Sequence, residues 1–287
     1  MTKKEISEIK RQFTPSNCSI TRICGCYVDG EKNKKALFKE AFLSLPEEDM
    51  FKYFEILRKN LSGTLGKNLM NLEFPLEAEK EGGPHEFLLK LRNSRLQDEA
   101  LLEAFYDRII ETYEYVGNYL ILLIHDAYDI PGKTSDGLEM DDASDEVYSY
   151  ILCSICPVKQ TKEALSYYVY ENAFHSISAD WVVSAPEMGF LFPSFDERST
   201  NLYDALYYCK DTSQTHPDFV EAVFHAPAPM PAAQQMETFQ TLLEDTLSDD
   251  CRYQVVQSVH GKLREMIEEH KANKVEDPLV VDKGTVR

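Results

Sequence analysis

The chain has 287 residues, 43% of them hydrophobic, with 49 acidic residues against 30 basic ones and a formal net charge of −19. That length supports one large domain or two ordinary ones. The charge repels phosphate backbones and anionic lipid, which argues against a nucleic-acid reader. No segment reaches the ~18 apolar residues a membrane helix needs, and residues 1–6 lack the apolar run of an export signal. Seven cysteines in such a chain are expected to be reduced thiols in a cytoplasmic protein.

Residues 3–13 carry Ile6, Ile9 and Phe13 at helical spacing, and Pro15 stops the helix. Residues 20–29 alternate as a strand, with Ile20, Arg22, Cys24, Cys26 and Val28 on one face and Thr21, Ile23 and Tyr27 on the other. Asp29-Gly30 then turns the chain. Ser44-Leu45-Pro46-Glu47 predicts a helix start, with a capping serine and a carboxylate three positions on. Met50, Phe54, Leu57 and Leu61 continue that stripe until Ser62-Gly63. After the break at Glu81-Gly82-Gly83-Pro84 come two helical runs, the second striped by Leu102, Phe105, Ile109, Tyr113 and Val116.

Residues 119–124 are apolar on both faces, which predicts an interior strand covered on each side. Residues 129–145 read as an acidic loop, 147–157 as a strand, and 181–195 and 202–208 as further strands. A Pro/Ala connector at 226–231 precedes two amphipathic helices, one lined by Met236, Phe239, Leu243 and Leu247 and the other by Val256, Val259, Leu263 and Ile267. Strands mixed with helices without strict alternation predict an α+β fold. The expectation is a mixed, largely antiparallel sheet with helices packed on it and a C-terminal helical pair. Residues 1–225 would form the core domain, 226–272 the connector and helical pair packed on it, and 273–287 a flexible tail.

Several constellations bear on chemistry. Cys24, Cys26, Cys153 and Cys156 have the number of thiols for a zinc site. In a regular strand, however, Cys153 and Cys156 point to opposite faces, so packed thiols are the favoured reading. Pro131-Gly132-Lys133-Thr134 has the tail of a phosphate loop but lacks its first glycine, and carboxylates follow where a helix should open. His125-Asp126 could serve as a base oriented by a carboxylate, although no nucleophile can be set beside it. The segment 186–201 runs from an aromatic strand (Phe190, Phe192, Phe195) into Asp196, Glu197, Arg198 and Asn201, which form the candidate binding loop.

Residues 1–6 and 11–13, the block Cys18-Ser19-Ile20-Thr21-Arg22-Ile23-Cys24-Gly25-Cys26-Tyr27-Val28-Asp29-Gly30, and the stretch 189–201 with Tyr207-Tyr208 resemble a bacterial family catalogued as domain of unknown function 4317. The resemblance spans the chain. It implies a bacterial cytoplasmic protein and carries over no activity, cofactor or catalytic residue. The expectation is therefore a non-enzymatic interaction or regulatory protein with a protein partner, no cofactor, and no direct contact with nucleic acid or membrane; the oligomeric state stays open. A hydrolase using carboxylates such as Asp126, Asp129, Asp196 and Glu197 is the alternative, and an acidic mimic of nucleic acid the third reading.

Overall fold

Leu120, Leu122 and Ile124 alternate with Tyr119, Ile121 and Leu123, and the two sets enter two separate hydrophobic cores. A strand with no polar face needs cover on both sides, and here it has it. The structure, a computed structural model, describes residues 1–226 apart from 76–77, 79, 131, 134–138, 141–146, 197–198 and 212–215. The helical pair and tail expected further on lie outside the described residues.

In chain order the elements are α1 (Lys3–Gln12), β1 (Ile20–Val28), β2 (Lys34–Glu40), α2 (Glu47–Asn60), β3 (Leu69–Glu73), α3 (Pro84–Asn93), α4 (Glu99–Thr112), β4 (Asn118–Asp129) and β5 (Val147–Gln160). They continue as β6 (Ala164–Tyr168), β7 (Ala173–Ile177), β8 (Trp181–Val183), β9 (Met188–Phe192), β10 (Ser194–Asp196), β11 (Ser199–Asn201), β12 (Asp204–Cys209) and α5 (Pro217–Phe224). One antiparallel sheet runs in the order β2-β1-β4-β5-β9-β12-β3, with β8 added alongside β5. Ile6, Ile9, Phe54 and Leu57 from α1 and α2 pack on one face. Leu88, Phe105, Ile109 and Phe219 from α3, α4 and α5 pack on the other. The α+β class and the antiparallel sheet follow the periodicity of the sequence.

Several local expectations change. Helix α4 stops at Thr112 with Tyr113 as its cap, so Val116 lies off the helix and is exposed. The single strand expected over 181–195 is three, β8, β9 and β10. A register shift between Ile20 and Arg22 turns Ile20 away from Cys24 and Cys26 and into the opposite core, beside Ile23. Such a bulge adds one residue and flips everything before it. Ser44 does not cap α2 either. Its hydroxyl donates to the Ala41 carbonyl at 2.7 Å within a short 3-10 turn, and Pro46 occupies the cap position with no side-chain bond.

Helix α2 is fixed to the sheet centre by a close approach. The buried Asn60 amide donates to the Cys153 carbonyl at 2.9 Å, passing over Gly189. A Cβ at Gly189 would meet Asn60 Oδ1 at 2.2 Å and the Cys153 carbonyl oxygen at 2.3 Å. Both are well inside contact distance, and one is backbone, so the neighbourhood cannot yield by a rotamer change. Gly189→Ala is expected to destabilise the protein by more than ~2 kcal/mol in denaturant unfolding. An Asn60→Ala background should not restore it, because the carbonyl clash remains.

Candidate functional site

The aromatic strand that leads into the candidate binding loop is interior. β9 lies between β5 and β12, and all five of its residues are buried. Phe190 and Phe192 enter the core with α3–α5, and Leu191 enters the core with α1 and α2. The strand therefore presents no surface of its own, and what remains exposed is the turn that follows it. There β10 and β11 pair as a short hairpin, with Ser194 opposite Asn201 and Asp196 opposite Ser199. Glu197 and Arg198 lie outside the described residues. The Asp196 side chain is 43% exposed and stands 3.9 Å from the Met1 amine. Asn201 is used structurally: its amide donates to Asp204 at 2.8 Å, and its Oδ1 accepts from the Tyr203 N–H at 3.1 Å. Asp196, Asn201 and Tyr203 help line an open concavity of about 350 Å³.

Tyrosines occupy the interior behind this hairpin. Tyr148 and Tyr150 stack with ring centroids 4.7 Å apart, and Phe195 packs on Tyr148 at the same separation. Tyr148 donates to the Pro193 carbonyl at 2.6 Å, while Tyr150 donates to Asp126 Oδ2 at 2.5 Å. Asp126 is fully buried, and burial raises its carboxyl pKa although the Tyr150 bond opposes the shift. Asp126 and Asp196 thus share an end of the sheet but meet different surroundings, one enclosed beneath Tyr150 and the other facing solvent.

His125 is buried at 1% exposure on the opposite face from Asp126. Its ring bridges three strands: Nδ1 lies 2.7 Å from Thr21 Oγ1 on β1 and Nε2 lies 3.0 Å from Ser149 Oγ on β5. One proton arrangement satisfies every atom. Thr21 donates to the His125 carbonyl at 3.2 Å and accepts from Nδ1–H, leaving Nε2 to accept from Ser149. Burial lowers the ring pKa to about 4, helped by the charges of Arg95, Arg92 and Arg22. His125 is therefore a neutral clamp between strands, with both nitrogens engaged.

The four thiols of the candidate zinc site are divided by the sheet. Cys24, Cys26 and Cys153 enter one core and Cys156 the other. Burial pushes Cys24 and Cys26 up to about 11 and raises Cys153 and Cys156 further, so all four stay protonated at neutral pH. A protonated thiol is a poor ligand and a poor nucleophile.

Residues 164–177, to which the sequence patterns assigned no element, form the most exposed apolar feature among the described residues. β5 runs past β4, whose Asn118 faces Val158. From Lys159 onward the chain is a two-stranded ribbon: β8 pairs with β5 as far as Trp181 opposite Gln160, and β6 pairs with β7 from Ala164 opposite Ile177. Thr161 and Asp180 bridge the gap with bonds of 2.7 and 2.9 Å. No residue from Lys159 to Val183 is buried. Leu165 is 69% exposed, Phe174 65% and Trp181 52%. At the root of this arm, Trp181, Val182 and Val183 face Tyr53 and Ile56 of α2 across a groove of about 600 Å³. The available signal was the paired aromatic and β-branched residues flanking Glu171-Asn172, with Asn172 at φ +47° in the turn.

The clamp at His125 has a pH signature. Because the folded pKa lies below the ordinary value near 6.5, its contribution is present above 6.5 and lost as pH falls towards about 4. The full effect is up to about 3 kcal/mol. Denaturant unfolding at pH 7 and pH 4.5 is expected to show the stability gap between wild type and His125→Gln shrinking on acidification.

Among the described residues no group of three or more His, Cys, Asp or Glu side chains is placed to hold a metal ion, and no helix is long and apolar enough to cross a membrane. No curated protein matches the sequence. The model of the family described as domain of unknown function (DUF4317) matches residues 1–287, so the chain belongs to that family.

Proposed function

We propose that this is a bacterial cytoplasmic interaction protein without enzymatic activity, and that it docks its partner protein on the arm of residues 159–183 and the groove between that arm and α2. The observation that carries the reading is the location of the apolar surface. Ten of the seventeen exposed large apolar side chains among the described residues lie between Leu165 and Val183. Exposed apolar surface concentrated in one patch marks an interaction site, whereas single exposed residues do not. An isolated two-stranded ribbon is also marginal in water, so a covering partner stabilises it. The hairpin carrying Asp196 and Asn201 is a second, polar contact at the opposite end of β5, and Glu197 and Arg198, between them in sequence, belong to the same proposed contact.

The net charge of −19 supports a protein partner over nucleic acid. The cytoplasmic assignment is supported by six cysteines that are free thiols among the described residues. For the hydrolase alternative, Asp126 is enclosed and already bonded to Tyr150, which leaves it poorly placed to join Asp196 at a metal.

Affinity capture from the native host tests the reading. Wild type is expected to retain a specific partner protein that a Leu165→Ser, Phe174→Ser, Trp181→Ala triple variant loses, with both proteins unfolding at similar denaturant concentrations. Retention of every captured protein by the variant would place the docking face elsewhere.

A further inference from the structure

We infer that one partner of the arm is a second copy of this chain, paired edge to edge through β6. The inference rests on the arm being the docking face, and it adds the identity of the occupant. Its first support is charge. The chain carries −19 in all, so two copies repel each other over most of their surfaces. Residues 159–183 hold Lys159 and Lys162 against Glu163, Glu171 and Asp180, a net of −1, so the arm adds little to that repulsion.

The second support is the chemistry of the edges. A strand at a sheet edge exposes unpaired backbone groups that recruit other strands, and proteins block such edges with charge. The edge strand β2 of the main sheet follows that rule, with Lys34, Lys35, Lys39 and Glu40 among its seven residues. Neither β6 (Ala-Leu-Ser-Tyr-Tyr) nor β7 (Ala-Phe-His-Ser-Ile) contains Asp, Glu, Lys or Arg. Among the described residues each has a single neighbour, the other, so each offers one open edge.

The third is self-complementarity. A two-fold interface brings a surface against itself. Antiparallel pairing of β6 with its own copy, centred on Ser166, sets Leu165 against the partner subunit's Tyr167 and Ala164 against the partner subunit's Tyr168. Small thus meets large and apolar meets apolar on both faces. The same operation on β7 would oppose two copies of His175, a polar pair where β6 offers apolar ones. The three exposed large side chains of β6, Leu165, Tyr167 and Tyr168, offer on the order of 100 Å² each, so the pairing covers on the order of 600 Å² of side chain in the two copies, the size of a weak, concentration-dependent interface.

The test is the mass of the full chain in solution, by light scattering over a range of concentrations, with two variants. Wild type is expected at twice the 33.0 kDa of one chain at high concentration, more so at higher salt as charge repulsion is screened. Leu165→Lys/Tyr167→Lys should be monomeric while unfolding like wild type, since both side chains are exposed. Ser166→Cys should form a disulfide-linked dimer under mild oxidation, because the pairing puts residue 166 within disulfide range of its own copy. A wild type that stays monomeric throughout overturns the inference, as does a dimer that survives the double lysine variant. Absence of the Ser166→Cys cross-link in a confirmed dimer overturns the register. A monomeric wild type that still captures a different protein through the arm leaves the proposed docking role standing, so the two failures are separable.

Discussion

The antiparallel pairing of β4 with β5, from Asn118 opposite Val158 to Asp129 opposite Val147, carries both layers of this protein. Each strand sends alternate side chains into a different core, so neither layer can form without it. Leu122 and Tyr150 belong to the core beneath α1 and α2, and Ile121 and Cys153 to the core beneath α3–α5. β1 and β9 then add to the outer edges of that pair. The helices follow, because each needs an apolar surface to bury its stripe and the sheet supplies one on each side.

The same pair sets where polar groups can be afforded. Near its Asp129 end the apolar pattern gives way to His125, Asp126, Ser149 and Tyr150, and each buried polar contact is local and specific. Tyr150 answers Asp126, and Thr21 and Ser149 answer His125. A buried polar group costs free energy unless it is bonded. These bonds lock three neighbouring strands in one register, which apolar packing alone specifies less sharply. The residues that look most like chemistry in the sequence thus act as register pins. Near the Val147 end the tyrosine stack seats the β10–β11 hairpin; at the other end β5 simply continues into solvent as the arm.

The interior strand at 119–124 was legible because a run apolar at both parities admits one physical solution, cover on both faces. The same rule applies to Met188–Phe192, whose apolar residues also occupy both parities, so its burial was encoded too. The charge that follows at Asp196 gives the segment the sequence character of a surface. Other features were hidden for different reasons. The bulge at Ile20 depends on which β4 residue each β1 residue faces, and no local pattern states that. Ser44 and Glu47 satisfy the spacing of a capping box, yet Pro46 already supplies the fixed backbone entry, and the serine closes the preceding turn instead. The arm was missed because periodicity reports burial against a core, and β6 and β7 have no core beneath them.

That last point is the key to the arm. Tyr167, Phe174 and Trp181 are the kinds of residue that normally fill an interior, and Tyr167 and Phe174 already touch at 5.1 Å between centroids. Placed on a ribbon with no buried residue, they gain little from folding, so the folded chain alone gives no account of why aromatic rather than polar side chains stand there. Their hydration cost is removed only when another surface covers them. Charge bears on which surfaces can approach: a chain of −19 repels its own copies overall, and residues 159–183 contribute only −1 to that. The arm joins exposed apolar side chains to a low net charge, and it begins where β5 runs past the last residue of β4 that pairs with it.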